Sequence, residues 1–282
     1  MKEPFKLVAV GTLGFWLIAF ALLPNLLVVV ASFLERGADE FVAFAFTLDS
    51  YRRLLDPLYL SVLLDSLYLA AMTTFLCLLL GYPFAYRLAR TPARWRSLLL
   101  ALVIIPFWTS SLVRTYAMVI ILQTHGLLNQ VLLNLGLIAE PLELLYTEPA
   151  VIAGMVYALL PFMILPLYAA LEKLDHRLVE AARDLGAGRV TIFRRIILPL
   201  TLPGIIAGSL LTFLPALGMF YVADLLGGAK TLLVGNLIRD QFLSARDWPF
   251  GAAASVLLTV LMGLLLWAYA LSSRRANQRA LP

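Results

Sequence analysis

Few side chains in this sequence are placed to do covalent or metal chemistry. Histidine occurs only at His125 and His176, and neither has a second ligand at metal-binding spacing. The single cysteine, Cys77, sits inside an apolar run and can join neither an internal disulfide nor a cysteine cluster. A phosphate-cradling loop needs Gly, four residues, then Gly-Lys-Ser/Thr. Gly227-Gly228-Ala229-Lys230-Thr231 has the wrong spacing and reads as a flexible turn. Recognition chemistry is left. Asp65 and Asp224 are carboxylates near the outer ends of long apolar stretches, and Phe107, Trp108, Phe220 and Tyr221 lie on such stretches close to ionisable groups. An ionisable group at membrane depth is costly, so it marks a pathway or a pair. Aromatic faces beside a carboxylate suit a cation.

The elements that position these residues follow from composition. Hydrophobic residues make up 62% of the 282 and charged residues only 14%, against about half and a quarter in soluble domains. A core alone cannot absorb that much apolar surface; hydrocarbon can. Six stretches are long enough to span it as helices, near 7–33, 61–86, 97–122, 149–171, 198–223 and 250–271. Prolines such as Pro24, Pro83, Pro106, Pro161, Pro166, Pro203 and Pro215 fall inside them and predict kinks. No alternation at strand length points to a barrel. Lys2 and Lys6 before an apolar stretch resemble a leader, but the run from Leu7 to Leu34 is too long for a leader core and reads as an uncleaved first span. The expected fold is all-α, a polytopic membrane protein in one transmembrane domain over 1–282.

Lysine and arginine orient it. Fifteen fall on one side of the spans (Lys2, Lys6, four between 87 and 96, six between 173 and 195, three after 273) and six on the other, with Arg114 left inside the third span. The positive-inside rule then places both termini in the cytoplasm. The opposite loops hold Glu35, Asp39, Glu40, Asp49, Asp56, Glu140, Glu143, Glu148, Asp240 and Asp247, an acidic outer face that favours a cationic ligand or its carrier. Net charge is +5, but the basic residues punctuate apolar runs instead of gathering on one polar face, so no nucleic-acid partner is expected. Trp248 and Phe250 read as part of an interfacial aromatic belt. Arg114 reads as a cation that pairs with a carboxylate or snorkels.

One cytoplasmic loop, 172–197, is no ordinary linker. Leu171, Leu174, Leu178, Ala181, Ala182 and Leu185 recur at helical spacing and predict one apolar face, with Glu180, Arg183 and Asp184 on or beside the other. Gly186 interrupts the helix, as glycine does where a chain leaves through a left-handed conformation. A second short helix is expected from Arg189 to Pro199. By itself this elbow also reads as an amphipathic helix on the membrane surface, anchored by arginines.

Glu180-Ala181-Ala182, then Gly186, Ile196 and Leu198-Pro199 in register, resemble the EAA loop of ABC-importer permeases. The resemblance implies a type I permease fold in which this loop is a coupling helix, docking through Glu180, Ala181, Ala182, Gly186, Ile196, Leu198 and Pro199 onto a separate ATPase. It implies no cofactor and no catalytic residues in this chain. Over nearly the whole length, "FTLDSYRRLLDPLY", "IPFWTSSLVRTYA", "LPALGMFYVADLLGGAKTLLVGNLIRDQF" and "RDWPFGAA" are similar to the B-type permease of bacterial spermidine/putrescine importers. That family implies a heterodimer with a C-type permease subunit, an ATPase dimer, a periplasmic polyamine-binding protein and a place in the inner-membrane lipid. For a polyamine, protonated amines on a flexible chain, a cavity lined by Trp108, Tyr221 and Asp224 would serve, with Phe107, Phe220 and Asp65 nearby. The same residues also admit simple helix packing, with Asp224 meeting water or headgroups. An ABC permease for ferric iron, sulfate or a sugar shares every argument except the whole-chain similarity and the acidic face. An ion-coupled transporter would show two halves with interrupted helices and midplane ionisable residues, and ionisable residues within the spans are few here.

Overall fold

The computed structural model describes residues 2–37 and 41–279, and helix dominates it. Helix α1 (Lys2–Leu17) passes through a widened π-turn (Ile18–Leu22) into α2 (Leu23–Ala31). Strands β1 (Leu34–Glu35) and β2 (Ala43–Phe46) pair antiparallel, and α3 (Asp49–Leu54) and α4 (Pro57–Ala89) follow. Then come α5 (Ala93–Ile104), α6 (Ser111–Leu122), α7 (Leu127–Asn134) and α8 (Glu148–Glu172). After α9 (His176–Asp184), α10 (Arg189–Ile192) runs through a second π-turn (Phe193–Ile197) into α11 (Leu198–Gly218). Short α12 (Phe220–Val222), a third π-turn (Ala223–Gly227), α13 (Val234–Leu243) and α14 (Trp248–Arg279) complete the described chain. Asp39 and Glu40 of the outer acidic set lie outside the described residues.

Among the described residues six helical stretches are long and apolar enough to cross a membrane: Val10–Ala31, Pro57–Ala89, Ser111–Asn134, Glu148–Glu172, Arg189–Gly218 and Trp248–Leu271. Two differ from expectation. The third, read as one span over 97–122, is broken. A 3₁₀ turn at Ile105–Trp108 and extended backbone at Thr109 and Ser110 separate α5 from α6. Pro106 cannot donate a helical hydrogen bond, and Thr109 turns its hydroxyl onto the Pro106 carbonyl at 2.8 Å. The twelve residues of α5 cover only about 18 Å, and the stretch long enough to cross is instead Ser111–Asn134, which runs from α6 on through α7. The fifth differs in the opposite sense. Arg189–Gly218 is continuous, so Ile196, Leu198 and Pro199 lie on the span and not on a separate arm of the elbow. Pro199 is accommodated, not obeyed as a stop: the π-turn at Phe193–Ile197 contains Arg195, whose carbonyl its ring would otherwise strike. Pro24 has the same arrangement, with Phe20 inside the first π-turn.

The chain divides into two compact units. In the first, the stretch up to Leu63 with Val234–Leu264, Phe250 is fully buried among Leu54, Val62, Val234, Leu237, Ala253 and Ala254. That corrects its expected place in an aromatic belt: its ring meets Tyr59 at 4.7 Å and the Arg53 guanidinium at 4.3 Å. Trp248 stays partly exposed and stacks on Phe41. Asp247, 2% exposed, accepts from Arg53 at 2.8 Å and from the Phe250 backbone N–H, so it caps α14 while holding α3. Burial works to lower the Arg53 pKa, but the hydrogen bond and charge of Asp247 outweigh it and hold the pKa above its ordinary value.

The second unit, Leu64–Leu233 with the remainder of α14, is organised around α8 and α11. Gly204 and Gly208, four apart, let these helices close up. A Cβ on Gly204 would come 2.5 Å from that of Ala170, and one on Gly208 would come 2.8 Å from the Met163 sulfur. Hydroxyls in the spans find partners locally: Thr74, Thr201 and Thr212 each donate to the carbonyl four residues back.

Candidate functional site

The elbow assembles from α9 and the start of the Arg189–Gly218 helix. Asp175 caps α9 by accepting from the Arg177 N–H at 2.9 Å. At its other end Gly186 adopts φ +79°, with Gly186 N–H on the Arg183 carbonyl and Ala187 N–H on the Ala182 carbonyl. That double bond is a Schellman closure, which needs the left-handed residue glycine supplies. The chain then re-enters helix at Arg189.

The apolar positions picked out by helical spacing divide between the inside and the outside of the unit. Leu171 and Leu174 are buried, but Leu178 and Ala181 are exposed and Leu185 is 88% exposed. Val179, which the periodicity passed over, is an α9 side chain that packs inward. Glu180 is exposed, Ala182 half-buried, and Val190 exposed beyond the bend. The elbow therefore presents small and apolar side chains outward, flanked by Arg183, Arg189 and Arg194. Ile196 and Leu198 are half-buried and Pro199 is exposed on the continuous helix.

A second group forms where two helices are interrupted. Helix α11 ends at Met219, whose backbone turns to φ −80°, ψ 55°. Phe220, Tyr221 and Asp224 therefore sit on a separate segment beyond the break. Tyr221 and Ser111 hydroxyls share a 2.6 Å hydrogen bond, which ties that segment to the first residue of α6. Trp108 precedes the same break in the third stretch and is 84% exposed. Phe220 meets Tyr221 edge-on at 6.0 Å, and Asp224 is half-buried. Phe107 turns elsewhere: it packs edge-on against Phe162 at 4.9 Å and lies near the Arg114 guanidinium. Arg114 lies between the Phe107 and Tyr157 rings at 5.9 and 5.8 Å, with its Nε and Nη1 buried and without a hydrogen-bond partner. Asp65 is exposed on α4. The interruptions bring Tyr221 and Ser111 together and leave Phe107 to packing. Ser111 was missed, and the run Thr109-Ser110-Ser111 after Pro106 was its available signal.

Irregular backbone at membrane depth persists only where it is buried in protein or lines a cavity, and two such breaks are hydrogen-bonded here. Residues 77–278 match the family model for the binding-protein-dependent transport system inner membrane component. The chain belongs to that family. The matched region contains the elbow and both interruptions. Over 264 residues the chain is 58% identical to the spermidine/putrescine transport system permease protein PotB of Escherichia coli K12, covering 94% of this chain and 96% of that one. Against PotB of Haemophilus influenzae it is 54% identical over 279 residues, 99% and 98% of the two chains. In fold it matches a bacterial alginate ABC transporter, solved in complex with an alginate pentasaccharide-bound periplasmic protein. The TM-score is 0.77 at 18% identity, covering 97% and 96% of the chains. The fold is thus the all-α ABC importer permease fold, and the chain is a transport subunit of the inner membrane.

Proposed function

We propose that this permease forms half of the path by which spermidine and putrescine cross the bacterial inner membrane, driven by ATP hydrolysed on separate subunits. The observation that carries the cargo is identity of 54–58% over 94–99% of the chain to permeases named for those polyamines. Its partners are a C-type permease subunit as heterodimer mate, an ATPase dimer, and a periplasmic polyamine-binding protein that docks at the acidic outer loops. Both termini face the cytoplasm, a reading supported by fifteen lysines and arginines against six.

The mechanism runs from the elbow outward. Exposed Leu178, Leu185 and Val190 with Glu180, Ala181 and Ala182 supply a small, greasy surface for a groove on the ATPase. Displacement of α9 passes through Gly186 into a 30-residue helix, a rod about 45 Å long. That rod ends at Met219, where Phe220, Tyr221 and Asp224 begin. Motion of the elbow is thereby delivered to the segment hydrogen-bonded to Ser111. There Trp108 and Tyr221 offer aromatic faces and Asp224 a carboxylate to protonated amines. Arg114 is held between the Phe107 and Tyr157 rings. The test is ATP-dependent uptake of radiolabelled putrescine and spermidine into vesicles carrying the complete importer. Uptake of either polyamine is expected; uptake of neither by an intact complex would reject the cargo.

A further inference from the structure

At the arginine-rich end of the second unit, α4, α9 and the start of the Arg189–Gly218 helix enclose a cleft of about 550 Å³. Arg87, Arg90, Arg183 and Arg189 line it, and no carboxylate does. Among the described residues none of the four makes an ion pair; Arg90 rests on the Tyr86 ring at 3.9 Å. Tyr82, Pro83 and Phe193 form a wall common to this cleft and to a second cavity of about 300 Å³. The remaining lining of that cavity is wholly apolar, including Leu79, Leu198 and Ile205.

Four uncompensated cations therefore adjoin an apolar trough on membrane-crossing helices. We propose that cleft and trough together bind an anionic phospholipid, with its phosphate among the arginines and an acyl chain along Leu79, Leu198 and Ile205. Guanidinium groups grip phosphate oxygens in pairs, and basic pockets between spans select anionic headgroups. A soluble anion would fill the cleft and leave the trough empty, whereas one amphiphile satisfies both. The trough lies on α4 and α11, where lipid arrives sideways from the bilayer. Because Arg183 and Val179 come from the elbow, Arg87 from α4 and Arg90 from the turn that follows it, a bound lipid ties the elbow to a span. The inference rests on the position of the elbow and is independent of the cargo.

The complete importer in mild detergent is mixed with phosphatidylglycerol or phosphatidylethanolamine, and native mass spectrometry counts the lipid retained. Phosphatidylglycerol is expected to be retained preferentially. Arg87→Gln with Arg189→Gln lowers its retention roughly thirtyfold, about fivefold for each arginine. Leu79→Trp, which fills the trough and keeps every arginine, also lowers it, and size-exclusion elution confirms that each variant is assembled. Glycerol 3-phosphate, a headgroup without a tail, does not compete at equal concentration. Equal retention of the two lipids, or undiminished retention by the double variant, overturns the proposal. Competition by glycerol 3-phosphate would assign the cleft to a free anion. Retention by the permease pair that vanishes whenever the ATPase joins would assign it to that protein surface. Polyamine uptake is measured separately, so a failure of the cargo reading leaves this result standing.

Discussion

Asp247 is the carboxylate whose surroundings most constrain what it does. It is buried, caps α14, and takes the hydrogen bond of Arg53 from 194 residues away. Asp247→Ala should destabilise the purified protein by about 1–3 kcal/mol, read as a lower thermal unfolding midpoint. The raised pKa of Arg53 places its contribution below the guanidinium range, so raising the pH from neutral to mildly alkaline should leave that midpoint unchanged on this account. Asp224 is expected to act on transport instead. Asp224→Asn should lower polyamine uptake by the assembled importer about tenfold or more, the loss of one hydrogen bond to a charged group. Unchanged affinity and rate would take Asp224 off the path. Asp224 stood out in the sequence because a carboxylate beside an apolar run is conspicuous. Asp247 looked like one more loop acid, since its role depends on a distant arginine that sequence spacing does not reveal.

At the scale of elements, the elbow and the rod behind it carry the account. Gly186 was readable as a helix exit, and its φ of +79° bears that out. Gly186→Pro, or a bulky residue at Ala182, should leave the permease inserted while ATPase association and uptake fall together; survival of both would remove the elbow from coupling. The close packing of α8 on α11 makes a separate forecast. Gly208→Leu must displace Met163 and should reduce the yield of folded permease in detergent, assayed by gel filtration. The four-residue spacing of Gly204 and Gly208 was present in the sequence as a packing signal and went unread. Helix boundaries were harder. Apolar periodicity does not distinguish a proline that ends a helix from one absorbed by a π-turn, as at Pro199, or from one that helps break it, as at Pro106. The apolar positions in and around α9 show a related limit: spacing finds a stripe but not whether this chain or a partner covers it.

For the molecule as a whole, composition sufficed to place six helices in hydrocarbon, and the lysine and arginine count supplied a direction. It could not supply the partners, because in the proposed assembly the engine is on another polypeptide and leaves only a docking surface here. The outward-facing Leu178, Leu185 and Val190 are that surface in this account, and the interrupted segments around Ser111 and Tyr221 are what it moves. The most direct test is to co-purify the chain with its ATPase and second permease, reconstitute them in proteoliposomes and measure ATP hydrolysis with polyamine-loaded binding protein outside. The account predicts a stable complex whose hydrolysis rises severalfold with spermidine or putrescine, a rise that Gly186→Pro abolishes together with ATPase association. An intact complex whose hydrolysis is indifferent to both polyamines would contradict it.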